Sequence, residues 1–302
     1  MAVIIVMAFL FGKNGKPVSR DGYYFDTYIN LTVYNSKDAA YLDDCLKMCE
    51  RYEKLFSRTL EGSDIYNVNN ANGESVTVDG ETYYLLQRAL EFCEETDGAV
   101  DITVAPLVDV WGFNNKKEPV LCKPSDKSLE IALAKVDYKN VILEEDNKVR
   151  LLNGAQIDLG FIAKGYIADK LKEYLVSRGV ESGIISLGGN IVVIGNKPDG
   201  KEYNIGIKDP NNSGDIIQSM KISDKSAVTS GTYERFVEYD GVKYHHILNT
   251  ETGYPVDNGI QSVTIISDSS LEGDALSTIC LILGEEDCLE IIGKYGAEAV
   301  FY

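Results

Sequence analysis

The chain has 302 residues, of which 44% are hydrophobic and 25% are charged, and its formal net charge is −18. This composition is typical of a globular protein that can bury a core without crosslinks. The acidic balance argues against nucleic acid as a partner, because that binding depends on Lys and Arg that neutralise phosphates. A phosphorylated ligand would therefore need local positive charge at its site.

The amino terminus reads MAVIIVMAFLFGKNGK. Its apolar run of about ten residues is shorter than the roughly 20 that a membrane-spanning helix needs. No basic region precedes the run and no small-residue cleavage site follows it. We predict that residues 1–22 are an apolar leader, either a poorly ordered segment or the trimmed end of a membrane tether.

Residues 25–178 contain one predicted strand and three predicted helices. Alternating polar and apolar residues predict a strand over 25–34. Apolar residues at helical spacing predict helices over 37–57, 79–96 and 161–178. Gly98 and Gly179 are the expected stops of the second and third helices.

The carboxy-terminal half reads mainly as short strands over 183–267. The clearest hairpin is RFVEY-DG-VKYHHIL, because an Asp-Gly pair suits a two-residue turn. Two further helices are predicted at about 270–283 and 286–294. Helices interleaved with mostly antiparallel strands indicate an α+β fold.

The six cysteines form no CxxC pair. Cys45 and Cys49 are four residues apart in a helical pattern, and Cys93 lies on the apolar face of another. We predict that all six are small buried hydrophobic residues rather than metal ligands or disulfide partners.

The only two histidines are His245 and His246. On a strand they point to opposite faces, so they cannot hold one metal as a simple pair. Either one of them enters a functional site, or both are hydrogen-bonded at the end of a strand.

Two stretches between residues 96 and 170 could carry chemistry. TDGAVDITVAPLVDVWGF (96–113) contains a Gly-Ala pair that leaves room for a flat ligand near the backbone. DLGFIAKGYIADK (158–170) places a Lys in the first turn of a helix, where helix amides and the ammonium group could bind an anion. Its glycines match neither a Rossmann fingerprint nor a P-loop.

Two more stretches follow. SLGGNIVVIG (186–195) has a Gly-Gly turn between apolar runs. GDALSTICLILG (273–284) puts Asp274 and Thr278 on one helix face, and their oxygen ligands suit Mg²⁺ better than Zn²⁺. Taken singly, each of the four stretches is better explained by packing, by a turn or by a helix cap.

Taken together and in order, these stretches resemble the ApbE-type flavin transferases, which are FAD:protein FMN transferases. The resemblance covers about Tyr24 to the carboxyl end and also includes TSGTYERF and HHILNTETGYP. It implies a T-fold-related, two-lobed single domain over 23–302, with mostly antiparallel sheets and flanking helices. It also implies FAD as substrate, Mg²⁺ as cofactor, and transfer of FMN through a phosphoester bond to a Thr or Ser of a target protein, with release of AMP.

The resemblance also assigns residues, by their positions in the family motifs. It implies His246 and Asp274 as the catalytic residues. The flavin-nucleotide contacts it implies are Phe25, Thr59, Gly98, Ala99, Val100, Asp158, Lys164 and Leu248. The metal ligands it implies are the side chains of Asp274, Ser277 and Thr278 and the backbone carbonyl of Phe161, where the family usually has a small residue.

A histidine with a pKa near 6.5 suits the removal of a proton from the acceptor hydroxyl, so we predict that role for His246. Two alternatives use the same site: a Mg²⁺-dependent FAD pyrophosphatase, and an FAD-binding protein without turnover. By the resemblance, the expected partner is an acceptor protein with a Ser/Thr-Gly-Ala-Thr-like segment, a subunit of a membrane redox complex. The expected location is the cell envelope, on the outer face of the cytoplasmic membrane, with the cytoplasm as the alternative.

Overall fold

A computed structural model describes residues 16–113, 122–210, 212 and 215–302. Its helices are α1 (Ala39–Phe56), α2 (Asp64–Asn69), α3 (Gly80–Glu95), α4 (Ala105–Trp111), α5 (Asp126–Leu133), α6 (Ala163–Ser177), α7 (Ser270–Leu283) and α8 (Glu285–Lys294). Its strands are β1 (Val18–Tyr24), β2 (Thr27–Val33), β3 (Val76–Thr77), β4 (Val141–Glu144), β5 (Lys148–Leu151), β6 (Gly183–Leu187), β7 (Asn190–Ile194), β8 (Tyr203–Lys208), β9 (Ile216–Ile222), β10 (Ser226–Gly231), β11 (Phe236–Tyr239), β12 (Val242–His245), β13 (Ser262–Ser267) and β14 (Glu298–Phe301).

The centre of the fold is a seven-stranded sheet in the order β1-β2-β6-β7-β10-β13-β14. Every neighbouring pair in it is antiparallel. Three smaller sheets accompany it: β3-β5-β4, β8-β9 and β11-β12. The α+β prediction is therefore confirmed.

Helices α6 and α7 pack against each other and against the central sheet. Their close approach depends on Gly165, because a Cβ atom added there would lie 2.2 Å from the carbonyl oxygen of Ser270. The buried faces of α1, α3 and α6 share one hydrophobic core with strands of this sheet. The α6–α7 pair carries several of the predicted site residues.

Local patterns predicted the five longer helices α1, α3, α6, α7 and α8 to within two residues, but they did not predict the short helices α2, α4 and α5 or the strands β1 and β3–β5. Gly98 and Gly179 have positive φ angles and follow α3 and α6, as expected of helix stops. The Asp240-Gly241 turn connects β11 and β12, and the strand ends at His245. The segment directly before Asp158 is not a strand and makes only an isolated bridge between Gln156 and Val104.

The cysteine prediction holds for five residues, which are buried, and is wrong for Cys122, which is exposed. Cys122 lies outside the helices and strands, four residues before α5, and its side chain faces solvent rather than a core. The structure describes the predicted leader only from residue 16, and β1 begins at Val18, so this strand crosses the predicted boundary at residue 23. Among the described residues, no helix combines the length and the apolar character that crossing a bilayer requires.

Candidate functional site

Asp274 lies inside α7 and is only 2% exposed. It does not cap the helix, because Ser269 is the N-cap and accepts from the Glu272 amide. Its Oδ2 accepts from the Gly165 amide over 2.8 Å, and its Oδ1 lies 3.6 Å from the Lys164 ammonium nitrogen. Burial raises the pKa of Asp274, and the charge of Lys164 acts in the opposite direction.

The carbonyl of Phe161 is left free by this arrangement. In a regular helix the Gly165 amide would donate to the carbonyl four residues earlier, which is that of Phe161. The amide donates to Asp274 instead, and no hydrogen bond to the Phe161 carbonyl is found in the described part of the chain. The Asp274 carboxylate on α7 and the unpaired Phe161 carbonyl just before α6 are hard oxygen donors of the kind that suits Mg²⁺.

Three hydroxyl groups continue this oxygen-rich region. Ser230, on β10, lies 2.7 Å from the Ser277 hydroxyl and 3.2 Å from the Thr278 hydroxyl. Ser277 is fully buried and also donates to the Asp274 carbonyl, whereas Thr278 is partly exposed. Within the described ranges there is no group of three or more His, Cys, Asp or Glu that could hold a metal. The predicted ligand set is of a different kind, since it combines the single carboxylate of Asp274 with hydroxyl and carbonyl oxygens.

The two histidines have different environments. The His245 ring bonds through Nε2 to the Val256 carbonyl and through Nδ1 to the Ile247 amide, so both of its nitrogens are used. The Nδ1 atom of His246 lies 3.2 Å from the Arg235 carbonyl. Because a carbonyl only accepts, that nitrogen carries the proton, and a neutral His246 keeps a lone pair on Nε2.

The electrostatic surroundings keep His246 neutral. Loss of hydration lowers its pKa to about 3, and the nearby positive charges of Arg235 and Lys164 act in the same direction. The ring is therefore unprotonated at neutral pH in the ligand-free protein and can accept a proton. Phe113 stands edge-on to it with ring centroids 6.5 Å apart.

Glu234 and Arg235 belong to the same cluster. Loss of hydration around the carboxylate raises the pKa of Glu234, although the residue as a whole is exposed, while the charges of Lys164 and Arg235 lower it. The Glu234 carboxylate reaches the Gly188-Gly189 turn, where a Cβ atom added to Gly189 would lie 3.4 Å from its Oε1. The cluster thus brings two cations into a strongly acidic protein, as an anionic ligand requires.

Asp158 and Thr59 are connected through Arg58. The Arg58 guanidinium is 2.9 Å from Asp158 and also pairs with Asp109. Its side chain is only 12% exposed. Asp158 additionally accepts from the Gly160 amide. The ion pairs bring the 158–170 stretch and the 96–113 stretch together beside Thr59.

The 96–113 stretch also packs on the turn that follows the histidines. Thr250 donates to the Gly98 carbonyl over 2.8 Å, and Trp111 donates to the Gly253 carbonyl over 2.7 Å. Val100 and Leu248 are both 4% exposed. The Thr250 bond places the run Gly98-Ala99-Val100 beside the segment that follows Leu248, although the side chains of Val100 and Leu248 are buried in two different hydrophobic clusters. A ligand in this region would therefore meet the backbone of Val100 and Leu248 rather than their side chains.

Phe25 occupies the turn between β1 and β2 with a φ angle of 53°, and its amide donates to Glu53. The turn lies beside the Gly188-Gly189 turn, because a Cβ atom added to Gly188 would lie 2.5 Å from the Thr27 hydroxyl. Phe25 thus lies near the turn that Glu234 reaches.

Sequence reasoning did not assign a role to Ser230, Glu234, Arg235 or Arg58. The first three lie in TSGTYERF, a motif that carried the resemblance without residue roles. That motif was the available signal for them. No comparable signal pointed to Arg58, since its partners Asp109 and Asp158 are far away in the sequence.

The sequence matches the ApbE family over residues 25–301. A curated relative from Klebsiella pneumoniae, named FAD:protein FMN transferase, is 37% identical over 90% of this chain and 85% of its own length. One of the same name from Treponema pallidum is 34% identical over 95% of this chain and 84% of its own length.

Solved structures agree with the sequence match. The ApbE protein of Thermotoga maritima has a TM-score of 0.88 and 35% identity, over 95% of this chain and 94% of that one. The flavin transferase ApbE of Vibrio cholerae has a TM-score of 0.83 and 26% identity, over 95% of this chain and 93% of that one.

Proposed function

Since this chain belongs to the ApbE family, we propose that it is a Mg²⁺-dependent FAD:protein FMN transferase. It cleaves the pyrophosphate of FAD, joins FMN to a Thr or Ser of a target protein, and releases AMP. The observation that carries the proposal is the meeting of Lys164, Asp274 and the neutral His246 in one electrostatic cluster.

The metal would be held by Asp274, Thr278 and the free carbonyl of Phe161. Ser277 is a further predicted ligand on the same turn, with its hydroxyl donated to the Asp274 carbonyl. When bound, Mg²⁺ would offset the charge of the pyrophosphate. This donor set fits a hard cation because every donor is an oxygen.

The protein's own cations would bind the phosphates. Lys164 follows the first residue of α6, and Arg235 lies at the root of the β11–β12 hairpin. Together they would offset the repulsion that a net charge of −18 exerts on an anionic ligand. Phosphoryl transfer depends mainly on such positioning and charge stabilisation.

His246 would take the proton of the acceptor hydroxyl on its free Nε2 atom. The hydroxyl oxygen then forms a bond to the phosphorus of the FMN half, and the bond from that phosphorus to the bridging oxygen breaks. AMP leaves with the bridging oxygen. A neutral imidazole is required at the start, and the lowered pKa of His246 keeps the ring neutral at pH 7, although its value of about 3 lies well below the 6.5 on which the sequence-based prediction relied.

The rest of FAD would lie along the packed region described above. Its predicted contacts are Phe25, Thr59, Gly98, Ala99, Val100, Asp158, Lys164 and Leu248. The proposed acceptor is a protein with a Ser/Thr-Gly-Ala-Thr-like segment. We propose that it is a subunit of a membrane redox complex. The proposed location is the cell envelope, and the apolar run at residues 2–11 supports a tether there.

Mass spectrometry tests the proposal after the protein is mixed with FAD, Mg²⁺ and an acceptor domain that carries such a segment. We expect an acceptor heavier by one FMN group, equimolar AMP, and no product when the metal is chelated. If FMN and AMP appear free in solution and the acceptor stays unmodified, the protein is a pyrophosphatase rather than a transferase. If FAD remains intact with each of several acceptors, the protein binds FAD without turning it over.

A further inference from the structure

The Ser230, Ser277 and Thr278 hydroxyls form a short hydrogen-bonded row between β10 and α7, which we call the hydroxyl row. The Ser230 oxygen is 2.7 Å from that of Ser277 and 3.2 Å from that of Thr278. Ser277 lies 2.9 Å from the Asp274 carbonyl oxygen. The row therefore ends at the residue whose side chain is the predicted metal carboxylate.

Counting protons fixes the direction of each bond in the row. A carbonyl only accepts, so the single proton of Ser277 goes to Asp274. Ser277 can then only accept from Ser230, which uses the single proton of Ser230. Ser230 in turn can only accept from Thr278.

The consequence concerns the oxygen of Thr278. Its proton points towards Ser230, so its lone pairs are available on the other side, and the residue is partly exposed there. A metal ion needs a lone pair and is repelled by a proton. Ser277 is fully buried and both donates and accepts within the row.

We propose that Ser230 is a positioning residue that holds the Thr278 hydroxyl proton away from the metal and so presents the Thr278 oxygen to it. This inference rests on the proposed function, because it assumes a cation at Asp274 and Thr278. Ser230 itself does not touch the metal. Partners of this kind orient ligands, and their loss typically lowers metal affinity by about 10- to 100-fold.

The test measures metal affinity rather than turnover. Mn²⁺ is titrated into the full-length protein with ADP present, whose two phosphates replace the pyrophosphate and which has no flavin to transfer. Free Mn²⁺ is followed by electron paramagnetic resonance. The variants are Ser230→Ala, Thr278→Val and the double variant.

We expect Ser230→Ala and Thr278→Val each to weaken Mn²⁺ binding by about tenfold or more. Ser230→Ala should have no further effect in the Thr278→Val background, because it acts through Thr278. Equal losses from Ser230→Ala in both backgrounds would overturn the inference, as would an unchanged affinity of Ser230→Ala. Unchanged affinity of Thr278→Val would overturn both the inference and the proposed metal site.

Two further variants separate positioning from general damage. Ser230→Thr keeps the hydroxyl and should retain most of the affinity. Thr229→Ala removes a similar hydroxyl contact, that with Thr264 at 2.8 Å, from the neighbouring position of β10. It should bind Mn²⁺ as the wild type does, and a loss equal to that of Ser230→Ala would contradict the inference.

Discussion

The amide of Gly165 donates to the buried carboxylate of Asp274 over 2.8 Å, across the packed faces of α6 and α7. This bond positions the carboxylate and frees the Phe161 carbonyl in a single step. It requires the two helices to approach closely, which only a glycine at position 165 permits. The candidate metal site is therefore linked to the packing of the core.

Gly165→Ala should reduce the free energy of unfolding by about 1–3 kcal/mol, because the new Cβ atom would overlap the Ser270 carbonyl. Urea unfolding measures this change. The matched control is Gly293→Ala in α8, where nothing lies within 4 Å of an added Cβ atom. The free energy of unfolding of that variant should rise by about 0.5–1 kcal/mol, because the unfolded chain loses the flexibility of glycine. If Gly165→Ala is as stable as the wild type, the close approach of the two helices is contradicted.

Arg58→Lys should weaken FAD binding, because one ammonium group cannot hold both Asp158 and Asp109 in the geometry of a guanidinium. We expect a loss of about 2 kcal/mol in the free energy of unfolding, since a largely buried charged network is disturbed. Fluorescence quenching of FAD and urea unfolding provide the two measurements. Arg20→Lys, in an exposed pair with Asp43, should change neither quantity.

His246→Gln should flatten the dependence of stability on pH. Burial lowers the pKa of His246 to about 3 in the folded protein, so between about pH 3 and 6.5 the unfolded chain binds the extra proton. The wild type therefore loses stability as pH falls through the unfolded value of about 6.5. The free energy of unfolding should change less between pH 7 and pH 5 in the variant than in the wild type. If the change is the same in both proteins, the pKa of His246 in the folded protein is near its ordinary value.

Local sequence patterns predicted the five longer helices and the β11–β12 hairpin well, because turns and helix ends depend on neighbouring residues. The Asp240-Gly241 hairpin and the stop at Gly179 are examples. The contacts that build the site connect distant positions instead, such as Thr250 with Gly98, 152 residues apart. Periodicity carries no information about such pairs.

The candidate site shows the same division. The family motifs predicted Asp274, Lys164 and His246 as site residues. In the structure Lys164 lies 3.6 Å from Asp274, and its charge also acts on His246. The hydroxyl row could not be predicted, because Ser230 and Ser277 are 47 residues apart and meet only when β10 packs on α7. The difference between the two histidines likewise depends on which carbonyl each ring faces.

The most direct test of the account compares His246→Gln with His245→Gln in single-turnover FMN transfer, with FAD affinity measured in parallel. The account predicts a rate reduced by about 10²- to 10⁴-fold in His246→Gln at unchanged FAD affinity, because only this ring has a free nitrogen. His245→Gln should lose stability but retain most of the rate, since its nitrogens bond to the backbone. Transfer by His246→Gln at the wild-type rate would contradict the account.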